Sequence, residues 1–249
     1  MRLLLAALVC LCSLPVQALS LRLCTFDNPF PPYTMPDGSG QVQELIRRAS
    51  RPLGLRIEAT YAPRRRCLAL AEQGKVDALI GGYVRERERY AVYPMDGEHA
   101  DPTRALAVTR FMIYRQRDSA VRWDGQRLGG LGGLAVGVQS GFIHADLLRA
   151  IGVAVDDGAH TGEQNLAKLA AGRLAAMVGS ENDVSPMLQA AFKNRIEMLP
   201  VPFHVTPLYL MVEQRYYHAH KATVQSLWDN IRTVRASPDY QRLVKDWRY

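Results

Sequence analysis

Cysteine is scarce in this chain, with four in 249 residues, and none of them stands in a CxxC pair. His218 and His220 are two apart and would not share a helix face, so a structural zinc site is disfavoured and no metal is expected. HExxH, Ser-x-x-Lys and nucleophile-elbow sequences are also missing, which removes three common hydrolase signatures. Aromatic residues make up only 8% and do not interleave with a basic helix. No run of one charge sign forms a tail. The net charge of +7 therefore points to anionic ligands or a generally basic surface, and nucleic acid is not an expected partner. No solenoid-period repeat or low-complexity linker interrupts the chain.

The apolar run Leu3 to Leu14 follows Arg2 and is too short to span a membrane. Pro15 and the small-residue pattern Val16-Gln17-Ala18 come after it, as in a secretory signal peptide covering residues 1–18 and cleaved after Ala18. Val9 and Leu11, which precede Cys10 and Cys12, are not the small residue expected before a lipid-modified cysteine. A soluble, exported, periplasmic protein is expected. Its mature form keeps Cys24 and Cys67, which in an oxidising compartment predict one bridge from the first strand to the start of a later helix; two unlinked thiols are the alternative.

Strand and helix patterns alternate along the mature chain. Leu21 to Phe26 reads as a strand. Val42, Leu45, Ile46, Ala49 and Leu53 recur at helical spacing until Gly54. Leu55 to Tyr61 is the next strand, Arg66 to Gln73 a short helix closed by Gly74, and Val76 to Ile80 a buried strand. This βαβαβ pattern predicts a parallel sheet. A second such unit has strands at Leu134 to Val138, Val153 to Val155 and Ala175 to Val178. Its helices carry the stripe Ile143, Leu147, Leu148 and Ile151, and a capping box of Thr161 with Gln164. The apolar segments Ala105 to Tyr114 and Pro207 to Val212 read as paired hinge strands between two lobes. Val224, Leu227, Trp228, Ile231 and Val234 form an amphipathic stripe, and Ser237 with Pro238 opens a last helix.

Five stretches in this order, PFPPY, GKVDALIGG, ERERYAVYP, LAVGVQSG and SPDYQRLVKDW, resemble the bacterial extracytoplasmic solute-binding proteins of the polar-amino-acid type. The resemblance covers nearly the whole mature chain. It implies an α/β, two-lobed periplasmic-binding-protein fold, each lobe a mostly parallel sheet flanked by helices. Lobe 1 would comprise residues 19–111 plus 206–249 and lobe 2 residues 112–205. It also implies a protein that closes on a small ligand, amino acid or related carboxylate, and delivers it to a membrane ABC permease; a monomer without any cofactor is expected.

The family pattern places a ligand-binding arginine on Arg87, with Tyr93 as its aromatic and Val84 where threonine is usual. A guanidinium just beyond a strand end can grip a carboxylate through two parallel hydrogen bonds. A structural ion pair with Glu86, Glu88 or another acid is the alternative, and Arg85 and Arg89 read as a solvated, partly glutamate-paired turn. By the same resemblance Gly82 lies in the site, Tyr33 stacks on the ligand, and Ser140, Gly141 and Phe142 open a helix whose N-H groups accept an anion. Tyr33 as a core-packed loop aromatic and Ser140 as an ordinary cap are the plainer readings.

Ser180 stands where amino-acid binders carry an aspartate for the ligand ammonium. Glu181 is beside it, Ala175 replaces another common aspartate, Gln41 replaces an aromatic, and Arg66 matches the basic residue of one subgroup. The resemblance also reaches ligand-sensing accessory proteins without an importer and a few exported enzymes, the cyclohexadienyl dehydratases, for which Glu181 is the candidate acid. A binding protein with no catalytic residue is the expectation. Gly130-x-Gly132-x-x-Ala135 precedes its strand and reads as a turn. Asp156 and Asp157, like Glu86 and Glu88, read as solvated surface.

Overall fold

The computed structural model describes residues 19–247; the leader, with Cys10, Cys12 and Ala18, lies outside the described residues. β1 (Ser20–Phe26), α1 (Gln41–Ser50), β2 (Arg56–Ala62), α2 (Arg64–Glu72) and β3 (Ala78–Gly81) form the first βαβαβ unit. β1 pairs in parallel with both β2 and β3. Cys24 on β1 and Cys67 on α2 are joined by a disulfide with Cα atoms 5.6 Å apart.

The chain then crosses to the second lobe along β4 (Ala107–Gln116) and builds β5 (Val136–Gln139), α3 (His144–Ala150), β6 (Val155–Ala159), α4 (Gly162–Ala170), β7 (Ala176–Ser180) and α5 (Glu181–Met187). β5 pairs in parallel with β6 and β7. The return is β8 (His204–Glu213), followed by α6 (Gln214–Ala219), α7 (Lys221–Ala236) and α8 (Pro238–Lys245).

One ten-stranded sheet runs through both lobes in the order β6-β5-β7-β4-β8-β3-β1-β2, with two short strands off this path. β4 and β8 are its antiparallel centre. Residues 107–111 of β4 pair with 204–208 of β8, the rest of β4 pairs with β7, and the rest of β8 pairs with β3. Each hinge strand therefore passes from one lobe into the other.

The amphipathic stripe of α7 explains where the last helices go. Val224, Leu227, Trp228 and Ile231 are fully buried, and the Trp228 indole donates to Leu210 O at 2.9 Å on β8. Burying four such side chains contributes roughly 1.5–3 kcal/mol each before entropy is charged against it. Ser237 caps α8 by accepting from the Tyr240 amide, and the Tyr240 hydroxyl donates to Gln41 O. Gln41 thus serves the core of the first lobe.

Three local expectations are corrected. The strand expected at Val153 to Val155 begins at Val155 and runs to Ala159, because its outward positions are occupied by acids with nearby cationic partners. Asp156 pairs with Lys168, and Asp157 with Arg149 and, across the lobes, Arg65, so these two carboxylates are not simply solvated. The stripe on α3 is also narrower than expected. Leu148 is buried, whereas Leu147 is 38% and Ile151 50% exposed; His144 and Ala145 face inward in their place.

Candidate functional site between the lobes

The C-terminal ends of the strands of both lobes converge on a pocket lined by Phe26, Phe30, Arg64, Gly81, Gly82, Phe111, Phe142, Ile143, His144 and Thr206, among others. Phe26 ends β1, Phe142 precedes α3, and Phe111 lies in the hinge. The Phe142 ring stands 6.1 Å from Phe26, 5.7 Å from Phe30 and 5.7 Å from Phe111. The lobes thus meet through tilted and edge-on aromatic contacts. The space left inside is about 20 Å3, room for a water-sized group, so anything as large as an amino acid enters only when the lobes part.

Arg64 sits in this pocket at the N-terminus of α2. It is buried, donates from Nη1 to Ile80 O at 2.6 Å and from Nε to Gly141 O at 3.4 Å, and lies over the Phe26 ring at 4.9 Å. No carboxylate among the described residues is within ion-pair distance of it. Burial, reinforced by the Arg87 charge, pushes its guanidinium down to about 9. The sequence did contain a signal for this residue. Arg64, Cys67 and Ala71 are the buried positions of α2, spaced i, i+3, i+7, so of the three consecutive arginines only Arg64 shares the inward face with the cysteine. Arg66, the expected basic residue, is exposed.

Arg87 lies on a short 3-10 turn, Arg85–Arg89, and lines a groove of about 720 Å3 with Val84, Tyr83, Ile143 and Leu147, among others. Ile143 also lines the aromatic pocket, so this side chain is a wall common to the two spaces. The Arg87 side chain donates weakly to Gly82 O at 3.5 Å, and neither Glu86 nor Glu88 forms an ion pair with it. Glu88 instead accepts from the Tyr83 hydroxyl, while Arg89 pairs with Glu72. Tyr93, whose hydroxyl burial pushes up to about 12, packs beside Arg87 and donates to Gly82 O at 3.4 Å.

Two glycines allow close approaches at the cleft. Within the first lobe, a Cβ on Gly82 would come within 2.7 Å of Thr206 on β8. Across the lobes, Gly141, at φ +81°, would place one 2.7 Å from Arg64; its left-handed backbone disfavours any other residue. Ser140 lines a second mouth of the cleft with Arg64, Gln139 and His160.

Tyr33, Ser180 and Glu181 are engaged around the hinge. The Tyr33 ring packs on Phe30 at 5.3 Å; its hydroxyl donates to Val108 O and accepts from Asn182 across the lobes at 2.9 Å. Ser180 is buried against the Thr109 hydroxyl at 3.2 Å. Glu181 pairs with Arg110 of the hinge at 3.3 Å. No acidic side chain lines the aromatic pocket among the described residues.

A half-buried carboxylate lies in the second lobe, outside the pocket lining. Asp183, in the first turn of α5, faces Gly162 at the start of α4, and burial pushes it up to about 6. A raised carboxyl contributes stability that is complete below the unfolded value near 3.8 and is lost as pH rises through about 6. Asp183→Asn is expected to melt higher than wild type at pH 8, by on the order of 2 kcal/mol, with the gain vanishing near pH 4. Urea titrations at both pH values measure this, and a gain equal at both would sink it.

No protein-family model and no curated protein matches this chain. Solved structures do. The GluR0 ligand-binding core from Nostoc punctiforme, in complex with L-glutamate, superimposes with a TM-score of 0.71 at 16% identity over 91% of this chain and 98% of that one. A histidine kinase sensor domain with similarity to periplasmic binding proteins gives 0.71 at 17% identity over 92% and 95%. The substrate-binding protein of an amino acid ABC transporter gives 0.68 at 17% over 92% and 98%. With its two βαβαβ lobes joined by β4 and β8, the chain has the two-lobed periplasmic-binding-protein fold.

Proposed function

We propose that this chain is a solute-binding protein that closes its lobes on a small carboxylate-bearing ligand. The observation that carries this reading is the pair of guanidiniums at the cleft, Arg64 and Arg87, neither of which has a carboxylate partner within reach among the described residues. A buried cation without a counter-charge is costly, and a ligand anion would offset that cost. The contacts from Arg64 to Gly141 O, Asn182 to Tyr33 and Arg65 to Asp157 form only when the lobes meet, so closure and ligand capture would be one event. We place the lobe boundaries at residues 111/112 and 205/206, within the β4–β8 ladder.

The ligand we infer does not depend on an α-ammonium. Ser180 and Glu181 are already committed to Thr109 and Arg110, which leaves the pocket rich in cations and poor in anions. Delivery to an ABC permease from the periplasm is the role we propose for the liganded form. The similarity to a sensor domain, at a TM-score of 0.71 against 0.68 for the ABC substrate-binding protein, supports a second reading, a ligand sensor; loss of labelled-ligand uptake in a deletion strain would favour the importer.

The test is a thermal-shift panel of small carboxylates, amino acids and polyamines on the mature protein and on Arg87→Ala. A ligand at about 100 times its Kd stabilises by roughly 2.7 kcal/mol. Carboxylates should shift wild type, and Arg87→Ala should require at least tenfold more ligand for the same shift. A panel in which only polyamines shift the wild type refutes the reading.

A further inference from the structure

His144 is buried, 1% exposed, yet neither Nδ1 nor Nε2 has a hydrogen-bond partner among the described residues. Its ring lies against Phe111 with centroids 3.7 Å apart and 5.6 Å from His204. His204 is spoken for, since its Nδ1 shares a 2.8 Å hydrogen bond with the Thr206 hydroxyl. Burial, with the neighbouring His204 and Arg64, holds the His144 imidazole well below its ordinary range. The ring is therefore neutral, with one donor and one acceptor. No group of three metal-ligating side chains stands among the described residues, so a metal does not account for it.

The ring lines the same pocket as Arg64, Phe26, Phe30 and Phe142. Leaving a buried donor and acceptor unmade is expensive, and the pocket's other walls are aromatic. Phe26, Phe30 and Phe111 each meet Phe142 tilted or edge-on, at 58–61° and 5.7–6.1 Å between centroids, and a planar aromatic ring admitted among them as the lobes part gains the same edge and offset contacts. An aliphatic carboxylate would satisfy Arg64 and leave both features unused. A second charge would meet an imidazole that holds no charge of its own.

Resting on the anion reading above, we propose that the ligand is an aromatic carboxylate bearing an uncharged hydroxyl. Its carboxylate meets Arg64, its ring enters between Phe142 of one lobe and Phe26 and Phe30 of the other, and its hydroxyl takes His144. His144 is then the residue that separates a hydroxylated acid from its parent.

The experiment is calorimetric titration of the mature protein with benzoate, phenylacetate and the ortho-, meta- and para-hydroxy forms of each, beside succinate and glutamate. At least one hydroxylated acid should bind ~10-fold or more tighter than its parent, since a site built around a hydrogen bond discriminates against a ligand lacking it. In His144→Phe, with folding checked by circular dichroism, that ratio should fall to within about twofold. Should the variant not fold, the ring nitrogens of wild-type His144 followed by NMR decide: the hydroxylated acid moves them and the parent does not. A ratio unchanged in His144→Phe, or no preference in wild type, overturns the proposal. Binding of succinate or glutamate with no aromatic acid bound overturns it and leaves the anion reading standing. No binding of any anion removes both.

Discussion

Arg64→Met is expected to give a protein that melts higher than wild type and no longer binds carboxylates. The guanidinium is held at about 9 against its ordinary 12.5, first by burial and then by Arg87. It remains charged at neutral pH, and the shift measures what holding the charge there costs, up to about 5 kcal/mol. Methionine fills similar volume with no charge and suits the Phe26 and Phe142 faces. Against this gain stand the lost hydrogen bonds to Ile80 O and Gly141 O, worth about 1–3 kcal/mol. The net stabilisation should be about 1–3 kcal/mol, or roughly 3–10 °C in Tm. The sign follows from linkage. A lowered basic pKa contributes stability only above the unfolded value and has lost it once pH falls through about 9, so the gap should be constant from pH 6 to 8 and close in stronger alkali. Calorimetry across pH gives the stability half, and carboxylate titration, expected to weaken at least ~100-fold for loss of a charge-assisted pair, gives the other. A variant that melts lower while binding as wild type would falsify the assignment of Arg64 as an anion receptor.

The second large effect belongs to the disulfide. Cys24 and Cys67 close a loop of 43 residues, and loop-closure entropy alone assigns such a cross-link about 4 kcal/mol. Cys24→Ser with Cys67→Ser should lower Tm by about 10 °C. Both cysteines are buried, 1% and 0% exposed, so reductant should leave the native protein intact until it unfolds and then prevent recovery of wild-type stability. Denaturant titrations of wild type and the double variant, with and without reductant, should differ only without it. A difference below about 1 kcal/mol would mean that the unfolded chain is already compact around this loop. The bridge grips the first turn of α2, one turn from Arg64, so its loss should also loosen the side chain that meets the anion.

Alternation of period-2 and period-3.6 patterns was enough to read both βαβαβ units, the hinge segments and the cap at Thr161, because each is decided within a few neighbouring residues. Strand ends were less legible: acids at Asp156 and Asp157 look like loop until Lys168, Arg149 and Arg65 arrive from elsewhere in the chain. The pocket walls were the least visible. Phe26, Phe30, Phe111 and His144 come from four segments, and each alone reads as ordinary core or surface. Arg64 was hidden at the head of a run of three arginines of identical chemistry, separable only by helix phase. Tyr33 and Ser180 were read from family position, and their partners, Asn182 and Thr109, are contacts that no local pattern announces.

The ladder at the waist pairs Phe111 with His204. Where the chain leaves for the second lobe and where it comes back are thus adjacent rungs, so that lobe is threaded into the other as a cassette with both ends at one place. Two cuts at this point would free it, and a short splice would close what remains. A pocket whose halves are supplied by separable cassettes can change one wall wholesale, keeping Arg64 and Phe26 while exchanging Phe142 and His144 in a single step.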